Sequence, residues 1–269
     1  GPYAAQAGYD YLAQGMGGVM SITGEPDGQP MKVGVAIADI MCGMYASTAV
    51  LAAIHHRDAT GQGQHIDLAL LDTQVSWLAN VAMNYLASGV ESPRLGNQHP
   101  NIVPYQVFSA SDGYFILAVG NDGQFRKFCD FAGLESLPDD PKFITNDKRV
   151  HNRDELVPMI EAVTQEKSKS HWLDGLSGLG VPAGPVNTVS EAFADPQVQH
   201  REMRITMPHA HSGSGTVDLI GNPVKMSETP VSYRIAPPVL GEHTDQVLEE
   251  LLEMNEQVRS ELRDQGIIV

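Results

Sequence analysis

The sequence predicts an α/β protein, and three stretches carry that prediction. Residues 40–57 are apolar on nearly every face, the composition of a helix packed on all sides. From Gln64 to Leu70 the chain alternates, with Ile66 and Leu68 set between His65 and Asp67, the two-residue period of a half-buried strand. Tyr105–Ser109 and Tyr114–Val119 flank Ser111-Asp112-Gly113, which reads as a hairpin, and helical patterns follow it.

Taken in order, Leu12, Met16, Val19 and Met20 recur at roughly helical spacing over residues 12–23. Gly15, Gly17 and Gly18 interrupt that stretch, and because glycine weakens a helix they imply close backbone packing. Residues 24–31, Gly-Glu-Pro-Asp-Gly-Gln-Pro-Met, read as a loop. A second long helix is predicted over 71–88, carrying Trp77, Leu78, Val81, Ala82 and Tyr85. Gly89 to Pro104, rich in Gly, Pro, Asn and Gln, reads as a crossing between domains. Helices are predicted at 122–132, 152–167 and 170–179, with Leu156, Ile160 and Val163 sharing one face of the second. The Gly/Ser-rich piece from His211 to Gly215 leads into strand-like segments. A final helix over 245–264 repeats Val247, Leu248, Leu251, Leu252 and Val258 with Glu opposite, so it packs on one side. The pattern is α/β at first, α+β in the middle, then a tail. It divides into 1–92, 93–206 and 207–269.

The 269 residues suffice for one large or two ordinary domains. Hydrophobic residues at 42% and charged residues at 19% are ordinary for a globular protein. No run of about 18 apolar residues is free of charged or polar breaks, so no membrane partner is expected. Gly1-Pro2-Tyr3 opens neither a basic nor an apolar leader region. Cys42 and Cys129 form no CxxC pair, which predicts a reduced, cytoplasmic protein. The formal charge of −16, from 17 basic and 33 acidic residues, argues against a nucleic-acid partner, whose binding rests on Lys and Arg.

Asp39 is the residue that calls for chemistry. It stands alone in the apolar and small-residue run Val33-Gly34-Val35-Ala36-Ile37-Ala38-Asp39-Ile40-Met41-Cys42-Gly43-Met44. Burying an unpaired carboxylate costs several kcal/mol. Two readings stand. Asp39 could be the N-cap of the helix that follows, or it could react, and a first turn also offers free N–H groups to an anion.

The surrounding motifs are Gly8-Tyr9-Asp10-Tyr11-Leu12-Ala13-Gln14, Gly17-Gly18-Val19-Met20-Ser21-Ile22-Thr23-Gly24, Thr60-Gly61-Gln62-Gly63-Gln64 and Asp67-Leu68-Ala69-Leu70-Leu71-Asp72. Later come Gly180-Val181-Pro182-Ala183-Gly184-Pro185-Val186 and Leu240-Gly241-Glu242-His243-Thr244. In this order, over essentially the whole chain, they resemble the class III CoA-transferases, the family of formyl-CoA transferase and carnitine CoA-transferase. The resemblance implies a segment of a Rossmann-like large domain at 1–92, a small α+β domain at 93–206, and a return to the large domain at 207–269. It also implies an interlocked homodimer, and that the chain corresponds to the C-terminal two-thirds of a family member.

By the same resemblance Asp39 is the nucleophile, and Ala7, Gly8, Tyr9 and Asp10 contact CoA. Gly96, Asn97 and Gln98 form the glycine-containing loop over the site, although an ordinary interdomain loop is an even alternative. Coenzyme A and acyl-CoA are then substrates, with no permanently bound cofactor and no metal. Racemases of this fold place His where Tyr9 stands. A phenol, with its ordinary pKa near about 10, suits base catalysis poorly, so Tyr9 favours transfer. Packing of Tyr9 at the helix entry is the competing reading. An acyl-CoA racemase or epimerase is the runner-up, and a non-catalytic piece needing its N-terminal half is the third. Gly8–Gln14 with Leu95-Gly96-Asn97 looks nearest the dicarboxylate branch, such as succinyl-CoA:glutarate transferases. Arg94 is a candidate for the distal carboxylate. His55-His56 and His209-Ala210-His211 read as structural, because adjacent helix residues diverge and the loop pair lacks a third ligand.

Overall fold

The hydrophobic core gathers between residues 103 and 181, where the hairpin and the amphipathic helices are predicted. The computed structural model describes residues 1–268 and separates into two units, Gly1–Val186 and Asn187–Val269. Helix and sheet are mixed, as the predicted class requires.

In the first unit the chain forms α1 (Asp10–Met16), α2 (Val19–Ile22), α3 (Ile37–Thr60), α4 (Leu70–Ser76) and α5 (Ala79–Ser88). The helix expected over 12–23 is therefore two. The break lies at Gly17-Gly18, where Gly18 takes φ +89° and a Cβ on Gly17 would lie 2.7 Å from the Ala13 carbonyl oxygen. The helix expected over 71–88 is also broken, at Trp77-Leu78, and α5 opens on Ala79 at φ 45°.

Residues 62–69 have no regular secondary structure and join no ladder among the described residues, so the strand expected at 64–70 is not formed here. Alternation marks a surface suited to a sheet, while a strand also needs a partner. A second expectation fails at α3, whose apolar composition implied burial. Only Ala38 of α3 is buried, while Met44 (59% exposed) and Leu51 (68%) face outward. By length and mean hydropathy (1.7) Ile37–Thr60 is also long and apolar enough to cross a membrane, against the expectation that no such run exists.

The core-bearing stretch follows its sequence closely. β1 (Tyr105–Ala110) pairs antiparallel with β2 (Gly113–Ala118) around Ser111-Asp112, in the register Phe108↔Phe115. Then come α6 (Asp122–Ala132), a 3-10 turn at Leu137–Asp139, α7 (Asn146–His151), α8 (Arg153–Thr164), α9 (Lys169–Leu179) and β3 (Ala183–Pro185). β3 adds antiparallel to β2 at Leu117↔Ala183, a third strand too short to show in the sequence pattern.

Asn121 caps α6 by accepting from the Gln124 N–H at 2.9 Å, and Ser168 caps α9. α8 buries Leu156, Ile160 and Thr164, one side chain per turn, and Val163 packs at the margin. Trp172 of α9 stacks on Phe115 with ring centroids 6.0 Å apart, and its indole N–H donates to the Thr164 carbonyl at 2.9 Å. Gly175 leaves room for the Phe131 ring, which any Cβ there would strike.

The second unit holds α10 (Val189–Ala194), α11 (Pro196–His200), β4 (Arg204–Pro208), β5 (Thr216–Ile220), α12 (Thr244–Leu252) and α13 (Glu256–Asp264). A capping box between Thr188 and Glu191 starts α10. The His211–Gly215 piece is the loop of the β4–β5 hairpin, so only one of the strand-like segments follows it. The single helix expected over 245–264 is two, because Glu253 turns left-handed at φ 53° and Asn255 caps α13.

Candidate active site

Asp39 lies in the first turn of α3, whose N-cap is Ala36, so Asp39 is not the cap. Its side chain is exposed, and the burial cost expected from the apolar run does not arise in this chain. The cap comes from elsewhere. Asp10 Oδ1 accepts from the Ala38 N–H at 2.8 Å and from the Asp39 N–H at 3.4 Å, across 28 and 29 residues of sequence.

The remaining donors of that turn are engaged too. Ile37 N–H donates to the Val35 carbonyl at 2.9 Å, and Ile40 N–H to the Ala36 carbonyl at 3.1 Å. The first turn of α3 therefore offers no open N–H to an anion, which corrects the expectation that it would. Donors for an oxyanion must come from other backbone or from side chains.

Asp10 is itself held. Gln14, which is fully buried, donates through Nε2 to Asp10 Oδ2 at 2.7 Å and accepts at Oε1 from the Val33 N–H at 2.9 Å. One side chain thus joins α1 to the segment leading into α3. Asp10 and Gln14 lie four residues apart, so they share a face of α1.

Ala7, Gly8 and Tyr9 lie on the other side of Asp10 in sequence. They line a cavity of about 290 Å3 with Leu12, Met16 and Leu70. Tyr9 is the N-cap residue of α1, extended and 69% exposed. The cavity is mostly apolar, with the open backbone of Gly8 at its rim. Its residues and the Asp10–Asp39 turn are therefore neighbours through α1.

Among the described residues, Gly96, Asn97 and Gln98 do not hydrogen-bond to this set. Gly96 N–H donates to the Gly24 carbonyl at 3.0 Å, and Gln98 Oε1 accepts from Arg153 Nη1 at 3.2 Å. Arg153 also donates to the carbonyls of His99 and Pro100, and burial pulls its pKa below the usual arginine value. Arg94 donates to the carbonyls of Glu25, Pro26 and Gly28, at 2.6 Å for the last. It is a strut between loops 24–28 and 94–98 rather than an open anion site.

Sequence reasoning missed two features. The Asp10–α3 cap joins segments too distant for a local capping signal. Gln74 of α4 is buried with neither amide atom partnered among the described residues, where a helix pattern would place an apolar side chain. His55 and His56 are exposed on α3, and His209 and His211 meet edge to face at 6.1 Å. Among the described residues no group of three or more His, Cys, Asp or Glu could hold a metal.

Comparison with known proteins gives the chain a family. Residues 1–244 match CoA-transferase family III. The chain is 51% identical over 251 residues to the succinate–glutarate CoA-transferase of Agrobacterium fabrum, covering 93% of this chain and 62% of that protein. It is 39% identical over 268 residues to the human succinyl-CoA:glutarate CoA-transferase, covering 100% of this chain and 61% of that one. The chain thus spans about three-fifths of the length of these relatives. Among solved structures, a CaiB/BaiF family protein from Brucella suis superposes with a TM-score of 0.79 at 48% identity, over 93% of this chain and 65% of that one. A Mycobacterium tuberculosis protein at 24% identity shares the fold, with a TM-score of 0.78 over 91% of this chain and 65% of that one. On the match that spans nearly its whole length, the chain belongs to CoA-transferase family III.

Proposed function

We propose that the protein containing this chain moves coenzyme A from an acyl-CoA to a free carboxylic acid, with Asp39 as the nucleophile. The observation that carries this reading is the exposed Asp39 carboxylate, set on a turn anchored through Asp10 and Gln14. Family membership supplies the reaction class.

The sequence of bonds is balanced without ATP. The Asp39 carboxylate attacks the thioester carbonyl of the donor, and the CoA thiolate leaves, forming a mixed anhydride. The thiolate then attacks the Asp39 carbonyl, the donor acid leaves as a carboxylate, and an aspartyl-CoA thioester remains. The acceptor carboxylate attacks that thioester and releases the thiolate again. Thiolate attack on the acceptor's carbonyl gives the new acyl-CoA and regenerates Asp39. Each step breaks one acyl bond and makes another, so thioester energy is conserved.

The dicarboxylate reading draws support from relatives named for succinate and glutarate. A homodimer draws support from the uncovered apolar faces of α3 and α5, where Leu86 is 71% exposed. The cytoplasmic reading rests on Cys42 and Cys129, both free thiols. Coenzyme A is a substrate in this scheme. Racemisation is the second reading, and Tyr9 stands against it.

Mass spectrometry after incubation with succinyl-CoA tests the proposal. The expected adduct is CoA less one water on the peptide carrying Asp39. Asp39→Ala is expected to abolish both adduct and turnover, with little loss of stability because the side chain is exposed. Near-parental turnover in Asp39→Ala would overturn the mechanism.

A further inference from the structure

We infer that Asp10 is a positioning residue for the reaction, holding the backbone turn that carries Asp39. The family resemblance places Asp10 in the CoA-contacting segment, but its carboxylate faces α3. One oxygen accepts from Ala38 and Asp39 N–H, and the other from buried Gln14. Gln14 in turn fixes Val33, and its Nε2 lies 3.5 Å from the Val35 carbonyl.

The consequence is geometric. Nucleophilic attack needs the carboxylate placed within a few tenths of an ångström, and small misplacements cost rate steeply. An exposed side chain has few packing contacts to place it, so its backbone must be fixed instead. Oδ1 of Asp10 fixes the Asp39 N–H directly and its neighbour's more tightly. The same contact uses up the positive end of α3, which keeps that end from drawing a substrate carboxylate onto the turn.

Gln14 also dictates which residue type works at position 10. Its Oε1 is committed to the Val33 N–H, so its Nε2 must point at Asp10. With Asp10→Asn, the side-chain oxygen could still accept from Ala38 N–H, but the new amide N–H2 would face that of Gln14. Adding Gln14→Glu would resolve the clash, because a carboxylate there accepts both from the new amide and from Val33 N–H. That pair of changes moves the charge to position 14 and restores the bonds to Ala38 and Val33, losing the longer contact to the Val35 carbonyl.

The inference rests on the transfer reading, and the test separates the two. Turnover of succinyl-CoA with glutarate is measured for the full-length protein, Asp10→Ala, Asp10→Asn, Asp10→Asn with Gln14→Glu, and Asp39→Ala. Asp10→Ala is expected to lower kcat by about ten-fold or more, with KM for succinyl-CoA within about three-fold. Asp10→Asn should lose a comparable factor, and the double variant should return to within about three-fold of the parent. A structural role alone would not confine the loss to kcat. Parental kcat in Asp10→Ala, a loss confined to KM, or a double variant no better than Asp10→Asn would each overturn the inference. If Asp10→Ala does not fold, the single and double variants carrying Asp10→Asn decide by the same criterion. Persistent turnover in Asp39→Ala would instead remove the transfer reading itself.

Discussion

The guanidinium of Arg149 has no exposed surface, yet it donates at 2.8 Å to Asp122, a carboxylate whose side chain is 56% exposed. Its other bonds go to backbone: Nε to the Val103 carbonyl at 2.7 Å and Nη1 to the Phe143 carbonyl at 2.9 Å. The Phe125 ring lies 4.4 Å from its central carbon. One cation therefore ties the strand entry, the turn that leads into α7, α6 and α7 together, with its charge paired at the surface by Asp122. Full pairing is what makes a buried cation tolerable.

Arg149→Leu is expected to destabilise the fold by about 3–5 kcal/mol, because two buried carbonyls lose their donor. Arg149→Lys should recover only part of the loss, since one ammonium cannot reproduce the planar fork. Urea unfolding followed by the fluorescence of buried Trp172 measures both. A change under about 1 kcal/mol for Arg149→Leu would refute the strut role.

Tyr9→Phe should lower turnover only several-fold, as one hydroxyl hydrogen bond is worth on the order of 1 kcal/mol. Tyr9→His places a group titrating near neutrality in the lining of the cavity shared with Leu12 and Met16. Solvent-deuterium exchange into a 2-methylacyl-CoA is then expected to rise above background. Substantial exchange by the unmutated protein would favour the racemase reading instead.

Cys129, fully buried, has its thiol pushed up to about 12, first by burial and then by Asp130, against the opposing pull of Arg149 and Arg126. An unfolded thiol ionises near about 8.5. Between those values the unfolded chain gives up a proton that the folded chain keeps. Stability therefore falls as pH rises through that window and is unaffected by this group below it. Cys129→Ala should flatten the alkaline slope of an unfolding series run between about pH 8 and 11. In the native protein Cys129 should also resist iodoacetamide at about pH 8.5 and react once unfolded.

Most of the stretch from 105 to 179 was legible because its signals are local, while the short α7 and the 3-10 turn were not expected. Phe108 and Phe115 sit in period-two strands, and Leu156 and Ile160 lie one turn apart. Asp39 was legible as the residue to watch, from its isolation among apolar neighbours. What holds it was not. Asp10 reaches α3 across 28 residues, and no periodicity encodes such a meeting. Arg149 was hidden for the same reason, since its partners lie at 103, 122 and 143. At 64–70 and along α3 the pattern described surfaces suited to burial, while burial depends on what is placed against them.

The order of the chain gives the uncovered faces of α3 a consequence in time. Thr60, the end of α3, emerges from the ribosome roughly 120 residues ahead of Val181, the last buried residue of the main core. At about 5–20 residues per second, that core cannot close until about 6–24 s after α3 emerges, and α3 stays uncovered even then. Throughout that interval and after it, a 24-residue, largely apolar helix presents side chains such as Met44 and Leu51 to water. Biosynthesis of this protein should therefore depend on a holdase that recognises this segment as it emerges. Slowing translation anywhere after residue 60 should deepen that dependence, because each added second prolongs the exposure of α3.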